Sequence, residues 1–176
     1  MTGYIQGYRK AATAVFEHAV STRTSPDFLV FPMAFLWRHH LELVLKDIIA
    51  LGSRLAGEPW GFPPGHGLMK LWKEARPHII QCGDPNAPEL ANVEANLREF
   101  EHVDPGADGF RYPFNRDRDA RSLDRAPDHL NLRVLHDAME AVANFFDGVR
   151  SELSSRSDYL AEMEAEFAHE YDHDYK

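Results

Sequence analysis

One cysteine, Cys82, stands in a chain of 176 residues, so no internal disulfide framework can hold it together. No run reaches the uncharged stretch of about 18 apolar residues that a membrane crossing takes. The N-terminal segment Met1 to Lys10 lacks the basic-then-apolar order of a secretory signal. These absences set the expectation of a cytoplasmic chain with no membrane role. Basic residues are also in short supply: 19 Lys+Arg against 28 Asp+Glu give a net charge of -9, which argues against a surface built for unselective phosphate binding. Nucleotide-binding glycine loops, a Gly-x-Ser-x-Gly elbow, a His-Glu-x-x-His motif and paired Cys-x-x-Cys motifs are all missing. No metal site and no cofactor is expected. The one helical His pair at i, i+4, His169 and His173, lies in an acidic segment with nothing to enclose an ion.

What is present is helical spacing. Apolar residues recur at three- and four-residue steps, and no segment alternates as a strand would, so the chain reads as an all-α domain. A first helix is expected over Tyr4 to Ser21, with Tyr8, Ala12, Val15, Phe16, Ala19 and Val20 on its inner side. A second is expected from Pro32, at a first helical turn, to Leu55. The Pro/Gly run Pro59 to Gly65 follows, and its Trp60 and Phe62 are expected to pack onto the domain or onto a partner. A short helix from Leu68 to Ala75, stopped by Pro77, precedes one opened by Pro88 and running through Phe100. Val103 to Ala126 reads as a long irregular loop, and loops of that length are frequently functional. The last long helix is expected to begin near Pro127 and to form the central pair with the second. Residues 1–150 make the domain, and 151–176 an acidic, helical, loosely attached extension.

Charge is uneven along the chain. Residues 151–176 hold eight acids and two bases, a net of -6, whereas Arg111, Arg116, Arg118, Arg121 and Arg125 form a local basic island. The segment Pro32 to Lys46 is the most informative. At 100° per residue, Ala34, Trp37, Leu41, Val44, Leu45, Ile48 and Leu51 fall on one arc, and Arg38, His39, Glu42 and Lys46 share another with Phe35 and Ile49. Two readings stand: a partly buried polar cluster, or an exposed Arg38-Glu42-Lys46 ladder worth a few tenths of a kcal/mol per pair. His39 and His66 are the histidines placed for acid–base work, the first beside Glu42, the second in Gly65-His66-Gly67 before a helix.

Three segments in order, Leu36-Trp37-Arg38-His39-His40-Leu41-Glu42-Leu43-Val44-Leu45-Lys46, Gly65-His66-Gly67-Leu68-Met69-Lys70-Leu71-Trp72 and Phe110-Arg111-Tyr112-Pro113, resemble motifs of the HEPN superfamily. Members are small helical bundles common in prokaryotic toxin–antitoxin and antiviral defence systems. The resemblance implies a HEPN-like bundle, a homodimer, and either metal-independent RNA cleavage or RNA or nucleotide binding. The nuclease members carry Arg, four to six residues, then His; this chain has no pair at that spacing. On a derived site, Arg111 would clamp the phosphate, His39 or His66 would move the proton, and Tyr112 would stack a base. Arg38, Glu42 and Lys46 would complete the binding residues. The competing reading pairs Arg111 with Glu42 as a structural lock. A noncatalytic alternative makes the chain an antitoxin-like interaction protein whose acidic tail meets a partner's basic surface.

Overall fold

The structure is a computed structural model and describes residues 1–22, 26–59, 61–115, 117–127 and 129–174, with side chains through residue 166. Five helices follow one another: α1 (Thr2–Thr22), α2 (Pro26–Leu55), α3 (Leu68–Ile80), α4 (Pro88–Val103) and α5 (Leu132–Asp174). The fold is all-α. Among the described residues the only extended pairing is one antiparallel bridge, Phe114 with Arg121, inside the long loop.

At the centre lies α2, packed most extensively on α1 and then on α5 and α3. Trp37, Leu41, Val44, Leu45 and Ile48 are fully buried along one side of it. Each such side chain contributes roughly 1.5–3 kcal/mol by leaving water. The expected core arc therefore holds, with only Leu51 reaching part of the surface. The central pair is corrected: α2 does pack on α5, but its largest partner is α1, which buries Ile5, Ala12, Phe16 and Ala19. Val20, expected inside, is 44% exposed.

Pro88 opens α4 as expected, whereas Pro32 and Pro77, also expected to bound helices, lie within them. α2 starts at Pro26 and runs through Pro32, and α3 runs through Pro77 to Ile80. Pro32 and Pro77 are both exposed, so the carbonyl that each leaves without its usual donor sits on the solvent side of its helix. α5 begins at Leu132, not Pro127, because Asn131 Oδ1 accepts the N–H groups of Arg133 (3.0 Å) and Val134 (3.2 Å), an N-cap hidden in a loop-like stretch. The acidic extension is a direct continuation of α5, and Ser157 is the last buried residue described. The His169/His173 side chains and Trp60 lie outside the described ones; Phe62 is 43% exposed.

α2 is also long and apolar enough by composition to cross a membrane, with a mean hydropathy of 1.3 over an 18-residue window, although its charged residues break any uncharged run. In the fold, 56% of that window is buried against the chain itself, the pattern of a core helix.

α1 and α5 are joined by ions. Arg9 binds Asp147 (2.8 Å), Glu140 and Asn144, Thr13 donates to Glu140 (3.0 Å), and Arg150 ties α5 to Asp47 of α2 (2.8 Å).

Candidate functional site

The polar arc of α2 is not an exposed ladder. Arg38 and Glu42 are 2% and 3% exposed, and two irregular segments cover them: the turn before α3 and the start of the loop after α4. Arg38 is the hinge pin. Its Nη2 donates to the carbonyl of His66 (3.1 Å), its Nη1 lies 3.7 Å from Glu42, and its Nε faces Asp104 at 3.5 Å without the alignment of a hydrogen bond. Burial pulls the Arg38 guanidinium below its ordinary value, and Asp104 and Glu42 oppose that pull.

Asp104 was not singled out from the sequence. It is 1% exposed, and its Oδ1 accepts the N–H groups of Asp108 (3.1 Å) and Gly109 (2.9 Å), folding the turn that delivers Arg111. The signal was the Asp104-Pro105-Gly106 run, because an aspartate heading a turn commonly accepts backbone N–H groups. Glu101 was also missed. Its Oε2 accepts the N–H of Leu68 (2.6 Å), capping α3, whose own N-cap position is Gly67, with no side chain to do so.

Glu42 Oε1 accepts from Lys46 Nζ at 2.8 Å and meets His66 Nδ1 at 2.9 Å. Burial opposes the charge on Glu42, and the hydrogen bonds from Lys46 and His66 outweigh it, so the carboxyl lies below its ordinary value. An ionised carboxylate only accepts, so His66 carries its proton on Nδ1 and Nε2 is left as the free ring nitrogen. The His66 side chain is 67% exposed. Gly65 makes this placement: its φ of +91° is a conformation that side-chain-bearing residues avoid, and it turns the chain just before His66.

His39 is differently housed. Its ring meets Tyr8 edge-on at 4.4 Å and lies parallel to Phe35 at 5.9 Å. Burial pushes its imidazole below the usual range, and the charges of Glu42, Lys46, His66 and Arg111 all act on it. Of the residues singled out in sequence, Arg38, Glu42, Lys46 and His66 are brought into contact, and His39 and Arg111 share the Phe35 ring beside them.

Arg111 is exposed. Its guanidinium donates to the Ala107 carbonyl (3.0 Å) and sits 5.5 Å from the ring centres of both Phe35 and Tyr112. No ion pair of the described residues joins it to Glu42, so the expected lock between these two residues is replaced by stacking and a backbone contact. Tyr112 and Phe114 are 57% and 53% exposed, and with Phe31, Arg111 and Arg121 they line a shallow groove of about 520 Å³. No cluster of three or more His, Cys, Asp or Glu among the described residues could hold a metal ion. Set against family models, curated proteins and solved structures, the chain matches none.

Proposed function

We propose that this chain is a HEPN-like RNA-binding protein whose His66, oriented by Glu42, carries metal-independent RNA cleavage with Arg111 as the phosphate clamp. One observation carries the reading: a buried carboxylate holds Nδ1 of a histidine whose ring is two-thirds in solvent. In the reaction this supports, His66 Nε2 takes the proton of a ribose 2′-hydroxyl as that oxygen attacks the adjacent phosphorus. The bond to the 5′-oxygen breaks, that oxygen leaves as a 5′-hydroxyl by taking a proton from solvent, and a 2′,3′-cyclic phosphate is left. Glu42 stabilises the imidazolium that forms, and Arg111 neutralises charge on the phosphate oxygens. Tyr112 offers a face for a base. Arg38 and Glu42 are buried and act by positioning; Lys46 holds Glu42 ionised. His39, enclosed by Tyr8 and Phe35, serves packing in this reading.

The test is cleavage of single-stranded RNA by purified protein with chelator present. His66→Ala and Arg111→Ala are expected to lose cleavage while His39→Phe retains it. Full activity in His66→Ala, or loss of wild-type cleavage on adding chelator, overturns the mechanism. RNA bound and not cleaved by the wild type would leave the nonhydrolytic binding form. The noncatalytic interaction reading draws support from the acidic extension of α5, and absence of both binding and cleavage would favour it.

A further inference from the structure

We propose that the groove beside Tyr112 and Phe114 is a second nucleotide subsite, in which Phe31 and Phe114 offer aromatic faces to a base and Arg121 meets its phosphate. This subsite rests on the RNA reading in one respect, that Arg111 clamps the scissile phosphate. Ser122 donates its N–H to the Pro113 carbonyl (3.2 Å) and Asn115 donates to that of Ala120 (3.0 Å), so the loop folds back with Phe114 and Arg121 as its bridged pair. Side chains directly opposite in an antiparallel pair leave the same face, which sets a phenyl ring beside a guanidinium. The base of the loop is fixed as well. A Cβ on Gly109 would come 2.7 Å from Leu123 and 3.3 Å from the Ser122 carbonyl, a close approach that the absence of a side chain permits. A built frame therefore presents the exposed rings, and contiguous apolar exposure of this kind marks a binding surface.

The far wall comes from α2. Phe28, Phe31 and Phe35 follow at steps of three and four along one face of that helix, over roughly 10 Å, and the first two are 74% and 44% exposed. Arg111 stands over Phe35 at 5.5 Å, and Phe31 joins Arg111, Tyr112, Phe114, Arg121 and Leu123 around the groove of about 520 Å³. Arg111 thus belongs both to the clamp and to the groove. A phosphate that it holds lies at the groove's edge, and the strand continues past Tyr112 into it.

Charge and shape name the occupant. No carboxylate of the described residues lines this groove, whereas the groove on the other side of the Arg111–Phe114 ridge, about 810 Å³, sets Asp108 beside Arg111 and Arg118. Arg121 makes no ion pair among the described residues, although the chain carries a net charge of -9. Two guanidiniums and three aromatic faces without an acid fit a ligand that alternates phosphates with flat bases, a single nucleic-acid strand. A duplex keeps its base faces stacked and offers none of them. A lipid surface is met by apolar side chains that stand out from a protein, whereas these rings line a concavity.

The test is binding of labelled 2′-O-methyl uridine oligonucleotides to the full chain; without a 2′-hydroxyl they bind and are not cleaved. A hexanucleotide is expected to bind about tenfold more tightly than a dinucleotide, which reaches only Arg111 and Tyr112. Phe31→Ala, Phe114→Ala and Phe114→Leu are each expected to remove most of that advantage, leaving dinucleotide affinity and helical circular dichroism unchanged. Arg121→Ala is expected, in addition, to lower the slope of log affinity against log salt by about 0.7, the loss of one single-strand phosphate contact, a slope the Phe variants leave alone. A hexanucleotide bound no better than the dinucleotide, wild-type binding by Phe114→Leu, or an unchanged salt slope in Arg121→Ala would overturn the subsite and leave the His66 mechanism standing. Cleavage that survives in His66→Ala, with the hexanucleotide preference still dependent on Phe114 and Arg121, would fell the mechanism and support the subsite. Binding to anionic phospholipid vesicles that is lost in Phe114→Ala, with no hexanucleotide preference, would assign the groove to a lipid surface and overturn the proposal.

Discussion

Two ionic assemblies hold this fold, and they differ in burial and in fit. On the seam that α5 makes with α1 and α2, Arg9 and Arg150 are 16% and 11% exposed, and each meets carboxylates at hydrogen-bonding distance. Under the loops, Arg38, Glu42 and Asp104 are 2%, 4% and 2% exposed by side chain, and Arg38 faces the two carboxylates only at 3.7 and 3.5 Å. The better-buried arginine has the looser ion pairs. Desolvating a guanidinium for carboxylates at that distance is a poor route to stability, and apolar residues of similar volume commonly do as well or better. The seam joins helices that would pack in any case. The inner cluster joins α2 to two segments with no helical hydrogen bonds of their own, and its by-product is a fixed, exposed His66.

Removing one member of the inner cluster should have the largest effect on stability. Asp104→Ala strips Arg38 of a counter-charge and the Asp108 and Gly109 N–H groups of their acceptor. The expected loss is about 3–5 kcal/mol in chemical denaturation. A loss under about 1 kcal/mol would mean that water already reaches the cluster, and the contrast with the seam would fail. Gly65→Ala comes next, at about 1–2 kcal/mol, because a side chain must be held at a left-handed φ. The same substitution is expected to lower any RNA cleavage, since the turn it strains is the one that presents His66.

Acid should separate the core from the seam. His40 is fully buried, its Nδ1 on the Ile5 carbonyl at 3.0 Å and its Nε2 without a partner. Burial depresses its pKa; Arg9 and Arg150 add to the depression, while the Ile5 bond and Asp147 oppose it. His39 is depressed as well. A histidine depressed in the folded state binds its proton more readily when unfolded, so its contribution is complete above the unfolded value near 6.5 and is lost as the pH falls below it. Denaturation midpoints are therefore expected to drop between pH 7.5 and 5.5, less steeply in His40→Asn. Glu42 and Glu140, both held below their ordinary values, add their own loss only under pH 4.5. Equal midpoints at pH 7.5 and 5.5 would sink this account. On the seam, Arg9→Ala is expected to cost about 1 kcal/mol, the scale of a partly exposed ion pair.

Much of this was legible in the sequence where local periodicity decides structure. The α2 core arc, the existence of all five helices and the sharing of one arc by Arg38, His39, Glu42 and Lys46 follow from spacing; the contacts of His66 with Arg38 and Glu42 do not. What spacing could not supply was depth. An i, i+4 pair such as Arg38 and Glu42 looks the same on a solvated face and under a loop, because the covering residues come from elsewhere in the chain. Glu101 was missed for that reason, since only tertiary structure brings it to the N–H of Leu68, whereas Asp104 acts on its own local turn and it is its burial beside Arg38 that the sequence does not display. Helix bounds failed at Pro32, Pro77 and Asn131, where a proline was tolerated on an exposed face and a cap sat inside an apparent loop.

The smallest expected effect on stability is also the sharpest test of the comparison. His66→Ala removes a ring that is two-thirds exposed, and Glu42 keeps Lys46 at 2.8 Å and Arg38 at 3.7 Å. Because Arg38 binds the carbonyl of residue 66, not its side chain, the turn stays anchored in the variant. Denaturation should therefore shift by only a few tenths of a kcal/mol, the scale of an exposed charged contact. RNA cleavage should be lost over the same range of conditions. A loss of stability above about 2 kcal/mol would place the imidazole inside the closed cluster, as one more buried partner of Glu42. The division between a cluster that positions and a histidine that reacts would then be gone.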